Sequence, residues 1–293
     1  MGSRVREAIV ECLKEVRSDQ EHETQVALQT LVAITRVSPQ NRNLLSQTDG
    51  AVAALVNLSK SPSPASVQIL ALSVLFNLSL NPNLKNSLAD IDNITHLNTV
   101  ILSSSEESVK LAASLLCSLA MLDKNKAKFG VAGTMQVLVK AISDTRSPAA
   151  HYLLSSLAEL VQFHGNCTLA VRSGAIPVLL ELAESADGED LSDTSLTILG
   201  LLARFQEGLN ELKKTDRIVA RMVGVLTQLR MQSKEGACEI LLRLFDETEV
   251  CMKEAMRLPE FTSVVADISV RGSGKTREKA GLLMKKMMDP NLY

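Results

Sequence analysis

The 293-residue chain carries 31 basic and 33 acidic residues, and a formal charge of −2 supplies no broad positive field for nucleic acid or an anionic membrane. Hydrophobic residues make up 46% and aromatic ones only 3%, with no Trp, a balance that suits close-packed helices better than a β-sandwich. The lack of an uninterrupted apolar run of membrane-spanning length argues against insertion.

The five cysteines, Cys12, Cys117, Cys167, Cys238 and Cys251, are scattered and form no CxxC pair. That pattern predicts reduced thiols packed as small apolar groups inside the cell. The N-terminus runs straight into charged helical sequence with no signal-peptide core, so the cytoplasm, the nucleus or both are the expected location.

In chain order, a lead-in helix over residues 4–17 is followed by a unit that keeps returning. VALQTLVAIT (26–35) is the first copy, ALSVLFNLS (71–79) the second and AASLLCSLA (112–120) the third, 41 residues on (71 to 112). SSLAELV keeps the interval, with Leu160 41 residues after Leu119, and LTILGLLA (196–203) and GACEILLRLF (236–245) continue at 42 (160 to 202, 202 to 244). REKAGLLMKKMM (277–288) closes the series, giving about six and a half units. Each unit shows helical periodicity twice, as in Val52, Leu55, Val56 and Leu58 and again in Leu72, Leu75, Phe76 and Leu78. Turns are expected at 59–64, 103–105, 144–148 and 186–190, and Gly50, Gly133 and Gly174 divide a shorter helix from the next. A 40–47-residue period of two or three helices lies in the armadillo/HEAT range. No single unit buries both stripes alone, so stacked neighbours must complete one elongated core.

Gly-Ala-Ile-Pro-x-Leu-Leu (174–180), Ala-x-x-x-Leu-x-Asn-Leu-Ser (71–79) and Asn-x-Lys (83–85) resemble the armadillo repeat consensus. The ending Ser273-Gly274-Lys275-Thr276-Arg277-Glu278-Lys279-Ala280 is similar to the last repeat of plant U-box ubiquitin ligases. The resemblance implies an all-α, right-handed armadillo superhelix of about six to seven repeats. Residues 1–293 form a single domain in this reading, with an N-terminal capping helix at 1–20 and a C-terminal one at 275–293. It further implies a monomeric, non-catalytic module that recognises substrates or regulators, kinases among them, while an upstream U-box recruits the conjugating enzyme. The repeats leave no segment here for a U-box, so the chain reads as the recognition half of such a ligase or as an armadillo-only relative. An armadillo scaffold unconnected to ubiquitin is the alternative.

By the same resemblance the third helix of each unit lines a binding groove. Carrying the consensus Asn position along the register gives Ala33, Asn77, Ser118, Glu159, Leu201 and Arg243. One turn earlier on the same face lie Gln29, Ser73, Ser114, Ser155, Thr197 and Glu239. One Asn in the series and no Trp argue against a nuclear-import receptor, whose groove is built on repeated Asn and Trp. The small residues have two readings: direct peptide contacts, or close packing of adjacent third helices.

No catalytic, cofactor or metal constellation is expected. Gly272-Ser273-Gly274-Lys275-Thr276 imitates the end of a phosphate-binding loop, the basis of a remote alternative as a nucleotide-binding enzyme. Ser269 stands where that motif needs its first Gly, so the stretch reads as a turn between helices. His22, His96, His151 and His164 are widely separated, and Gly165-Asn166, between His164 and Cys167, reads as an inter-helix turn. The acidic residues from Glu184 to Asp193 read as a solvated loop.

Overall fold

A computed structural model describes residues 2–18, 20–60, 64–143, 148–184, 189–228, 231–272 and 274–288. Among these residues there are twenty α-helices and no strand. Contacts divide the chain into two compact units, residues 1–160 and 161–293.

In the first unit, α1 (Gly2–Glu15) packs on α2 (Glu21–Val37). Three helix triplets follow: α3 (Pro39–Ser46), α4 (Ala51–Lys60) and α5 (Ala65–Ser79); α6 (Pro82–Leu88), α7 (Ile91–Ser103) and α8 (Glu106–Ala120); α9 (Asp123–Val131), α10 (Thr134–Ile142) and α11 (Ala150–Leu160). The third helices stack in sequence, α5 on α2, α8 on α5 and α11 on α8. The second unit repeats the plan with α12 (His164–Arg172), α13 (Ala175–Glu184) and α14 (Glu189–Leu202), then α15 (Gln206–Lys214), α16 (Ile218–Thr227) and α17 (Met231–Glu247), then α18 (Glu249–Met256), α19 (Phe261–Arg271) and α20 (Gly274–Met287). Here α17 packs between α14 and α20.

Local chemistry sets these boundaries. Ser38, Asn81, Asp90, Ser105 and Thr248 each accept a hydrogen bond from a backbone N–H in the first turn of the helix they cap. Pro39 and Pro82 open their helices where no N–H partner is needed. Gly50, Gly133 and Gly174 adopt φ of 70°, 75° and 82° at the step from the first to the second helix of their repeats. A side chain is strained in that conformation. In the fifth repeat, which lacks the glycine, Arg217 takes the step at φ 52°.

The predicted stripes supply the core. Leu55, Leu72, Leu75 and Leu78 are buried, whereas Val52, Val56, Leu58 and Phe76 are half-buried. Phe129 and Phe261 are fully buried, one in each unit. Each such side chain contributes roughly 1.5–3 kcal/mol on burial. The turn at 103–105 is present, joining α7 to α8. Of the turns expected at 59–64, 144–148 and 186–190, residues 61–63, 144–147 and 186–188 lie outside the described residues, whereas Ser59 and Lys60 belong to α4 and Glu189 and Asp190 to α14. The closing helix spans Gly274–Met287, and residues 289–293 of the expected cap lie outside the described residues. One expectation is corrected: Gly165 and Asn166 belong to the first turn of α12, not to a turn between helices.

Candidate functional site

In the first unit the predicted register positions fall on α2, α5, α8 and α11. Gln29 and Ala33 are exposed, and Ser73, Asn77, Ser114, Ser155 and Glu159 are half-buried. Ser114 and Ser155 donate their hydroxyl protons to the carbonyls of Lys110 and His151 four residues earlier, at 2.8 and 2.9 Å. A hydroxyl bonded in this way keeps only acceptor capacity for a partner. Asn77 Nδ2 donates across repeats to Thr35 Oγ1 at 3.0 Å.

Ser118 departs from the groove reading and fits the close-packing one. It is only 5% exposed, its Oγ lies 2.8 Å from Ser79 Oγ, and it accepts from Lys85 Nζ at 3.0 Å. Lys85 also donates to the Ser118 carbonyl. Ser118 is therefore a residue of the contact between α5, α6 and α8 and not of an open groove. Lys126 reaches Glu159 Oε1 at 2.9 Å and Asp123 Oδ1 at 2.8 Å. In both cases the lysine on the first helix of a repeat meets the consensus-Asn position 33 residues downstream (85 to 118, 126 to 159). The Asn and Lys that mark the repeat in sequence thus join elements within and between repeats. Buried Asn125 does the same, donating to the Lys85 and Leu119 carbonyls, both at 3.0 Å.

The two lysines differ in charge balance. Burial pushes the Lys85 ammonium below its ordinary value: its hydrogen bonds go to the neutral oxygens of Ser118, and the opposing pull of Cys117 and Glu159 does not make up the loss of solvent. Burial alone would lower Lys126 too, but the carboxylates of Asp123 and Glu159 hold it above the ordinary value.

In the second unit Thr197, Leu201, Glu239 and Arg243 line open depressions on α14, α17 and α20, one of about 610 Å³ and one of about 1200 Å³. Thr197 donates back to the Asp193 carbonyl at 2.9 Å. Glu239 is only 7% exposed and is the centre of a charge cluster. Its Oε1 accepts from Arg204 Nε at 3.3 Å and from Arg243 Nε at 3.2 Å, and its Oε2 lies 3.1 Å from Lys279 Nζ. Lys279 also bonds Glu235 at 2.9 Å. Burial alone would raise the Glu239 pKa, yet Lys279, Arg243 and Arg204 hold it below the usual carboxylate range. Small residues bring the helices close enough for this contact. Gly236 sits so near α14 that an added Cβ would lie 2.5 Å from the Leu196 carbonyl oxygen.

Arg204 and Lys279 were not among the predicted positions. Arg204 lies just past the end of α14, and Lys279 reads in sequence as part of a solubilising cap. The one sequence signal for Arg204 is its place three residues after Leu201.

The remaining candidates separate clearly. Val264, Val265, Ala266, Asp267 and Ile268 lie in helix α19, so the Gly272–Thr276 stretch lacks the strand that a phosphate-binding loop follows, and Ser273 lies outside the described residues. Among the described residues no group of three or more His, Cys, Asp or Glu gathers as a metal site. Burial pushes the Cys167 and Cys238 thiols up to about 12, which suppresses the reactive thiolate. Glu184 ends α13 and pairs with Arg221, Asp190 and Asp193 belong to α14, and residues 185–188 of the acidic segment lie outside the described residues. No helix among the described residues is long and apolar enough to cross a membrane.

Triplets of helices whose third members stack define an armadillo-type α-solenoid, a class of protein-interaction module. Solved structures share this fold. An engineered protein matches with a TM-score of 0.83 at 19% identity, over 96% of this chain and 68% of its own. A designed armadillo repeat protein in complex with the peptide (KR)4 matches with a TM-score of 0.71 at 19% identity, over 80% of this chain and 98% of its own. The family described as the plant U-box protein ARM repeat region matches residues 8–291, and the chain belongs to it. U-box domain-containing protein 8 of Arabidopsis thaliana is 29% identical over 201 residues, 68% of this chain and 52% of that protein. U-box domain-containing protein 45 of the same plant is 24% identical over 249 residues, 84% of this chain and 32% of its own. The chain thus spans about half, or less, of the length of these relatives.

Proposed function

We propose that this ARM region is the substrate- or regulator-recognition part of a plant U-box-type ubiquitin ligase system, one armadillo domain over residues 1–293 that binds partner proteins through its third helices. The observation that carries this reading is the family match over residues 8–291. The surfaces of the third helices support it: Gln29, Asn77 and Glu159 in one unit and Thr197 and Arg243 in the other keep side chains at least partly open to solvent. Ser118 is left out of the recognition set. The module contributes binding and orientation, and no bond-making step is assigned to it.

The test is an affinity pull-down from plant extract comparing wild type with Asn77→Ala/Glu159→Lys/Arg243→Glu, each checked for folding by thermal melting. A specific partner lost only from the folded variant supports recognition by the third helices. A partner retained equally by both moves binding to the outer helices or caps and overturns the assignment.

A further inference from the structure

The larger depression, on α17, α20 and the turn just past α14, has an uneven charge balance. Six cations line it, Arg204, Arg243, Lys275, Lys279, Lys285 and Lys286, against the four carboxylates of Glu235, Glu239, Asp246 and Glu278. Lys286 is neutralised by Asp246 and Lys279 by Glu235 and Glu239. Arg204 and Arg243 share a single carboxylate oxygen, Glu239 Oε1, and their side chains stay 49% and 45% exposed. Lys275 and Lys285 are exposed and form no ion pair with any described residue. One buried anion therefore positions two arginines that stay about half exposed at the depression. A planar, multi-donor guanidinium held in place is suited to carboxylates of a partner.

The rest of the wall is apolar. Leu282 and Met288 are exposed at 48% and 74%, and Leu242 and Met284 line the same depression. Its volume of about 1200 Å³ exceeds the roughly 300–1,000 Å³ of small-molecule pockets, leaving room for several residues of a chain.

Resting on the reading that the third helices recognise proteins, we infer that this depression takes an extended acidic segment of a partner protein, carboxylates on Arg204 and Arg243 with neighbouring apolar side chains against Leu282 and Met288. The charge excess is opposite to what a basic peptide needs. Fold likeness to the designed repeat protein bound to (KR)4 therefore does not carry over to its ligand. Glu239 is a positioning residue here, since it acts through the arginines.

The experiment is fluorescence anisotropy on the full 293-residue chain with three labelled alternating octapeptides, Asp-Leu, Ser-Leu and Lys-Leu, at low and raised salt. The Asp-Leu peptide is expected to bind best and to weaken with salt. Arg204→Gln/Arg243→Gln should weaken it about tenfold, while Arg257→Gln/Arg271→Gln, the same charge loss outside the depression, should leave it unchanged. Lys275→Gln, which touches no internal ion pair, should weaken binding about threefold and keeps the test open if the double variant misfolds. Preference for the Lys-Leu peptide, or equal loss in the Arg257/Arg271 control, overturns the acidic assignment. Either result leaves recognition by the third helices standing, because that reading fails separately, when the pull-down partner is retained by the altered chain.

Discussion

The third helices play opposite parts in the two units. In residues 1–160 polar groups on the third helices turn inward: Ser118 is closed off by Ser79 and Lys85, and Lys126 is drawn onto Glu159. In residues 161–293 the corresponding helices carry Glu239, Arg243 and Arg204, whose cluster opens into a depression of about 1200 Å³. One unit uses its third-helix polarity mainly for cohesion between repeats, and the other holds charge at a surface. A repeat sequence therefore fixes where a side chain sits without fixing whether it faces a neighbour or the solvent.

The largest expected effect breaks the second arrangement. Glu239→Gln puts an amide donor against Arg204, Arg243 and Lys279, and removing one partner of a buried pair costs about 3 kcal/mol. Urea unfolding measures the loss, and hydrogen exchange should place it in α17 and α20, with α8 unaffected. This carboxylate is held below its ordinary 4.5 in the folded state, so its stabilising share is complete above that pH. The share is lost as pH falls through the lower folded value, and the Gln variant should show a shallower acid decline between those two limits.

A middle-sized effect separates the two buried lysines of the first unit. Lys126→Met strips a cation from Asp123 and Glu159 and should cost about 2 kcal/mol, since hydrogen bonds to charged groups contribute roughly 1.5–3 kcal/mol. Lys85→Met removes a buried charge that hydrogen-bonds to the neutral oxygens of Ser118 and feels Glu159 too weakly to offset its burial, and Ser79 remains for Ser118. Its stability should stay within about 1 kcal/mol of wild type. Equal losses in the two variants would contradict the distinction. The smallest effect is a gain: Arg217→Gly relieves a left-handed residue at φ 52° and should raise stability by about 1 kcal/mol, read from the urea midpoint.

The armadillo period was legible because Leu119, Leu160, Leu202 and Leu244 recur at 41–42 residues, and the stepping glycines at 50, 133 and 174 carry a backbone requirement that survives in one dimension. Arg217 shows that the step can persist after its glycine is gone. What stayed hidden were the inter-repeat partners. Lys85 and Lys126 marked the register in sequence, but their contacts lie 33 residues away on another helix, and no single-helix periodicity points there. Arg204 lies beyond the end of its helix, so a ladder carried in steps along α14 passed over it. Gly165 and Asn166 look like turn residues, yet they fit the first turn of α12, where a short helix begins just after Phe163.

The proposal turns on whether the third helices are where this ARM region meets other proteins. Hydrogen exchange on the 293-residue chain, alone and with the partner captured in the pull-down, tests it most directly. Added protection is expected on the third helices, α2, α5, α8 and α11 in one unit and above all α14, α17 and α20 in the other, with α13, α16 and α19 little changed. Protection confined to α13, α16 and α19, or to α1, would contradict it.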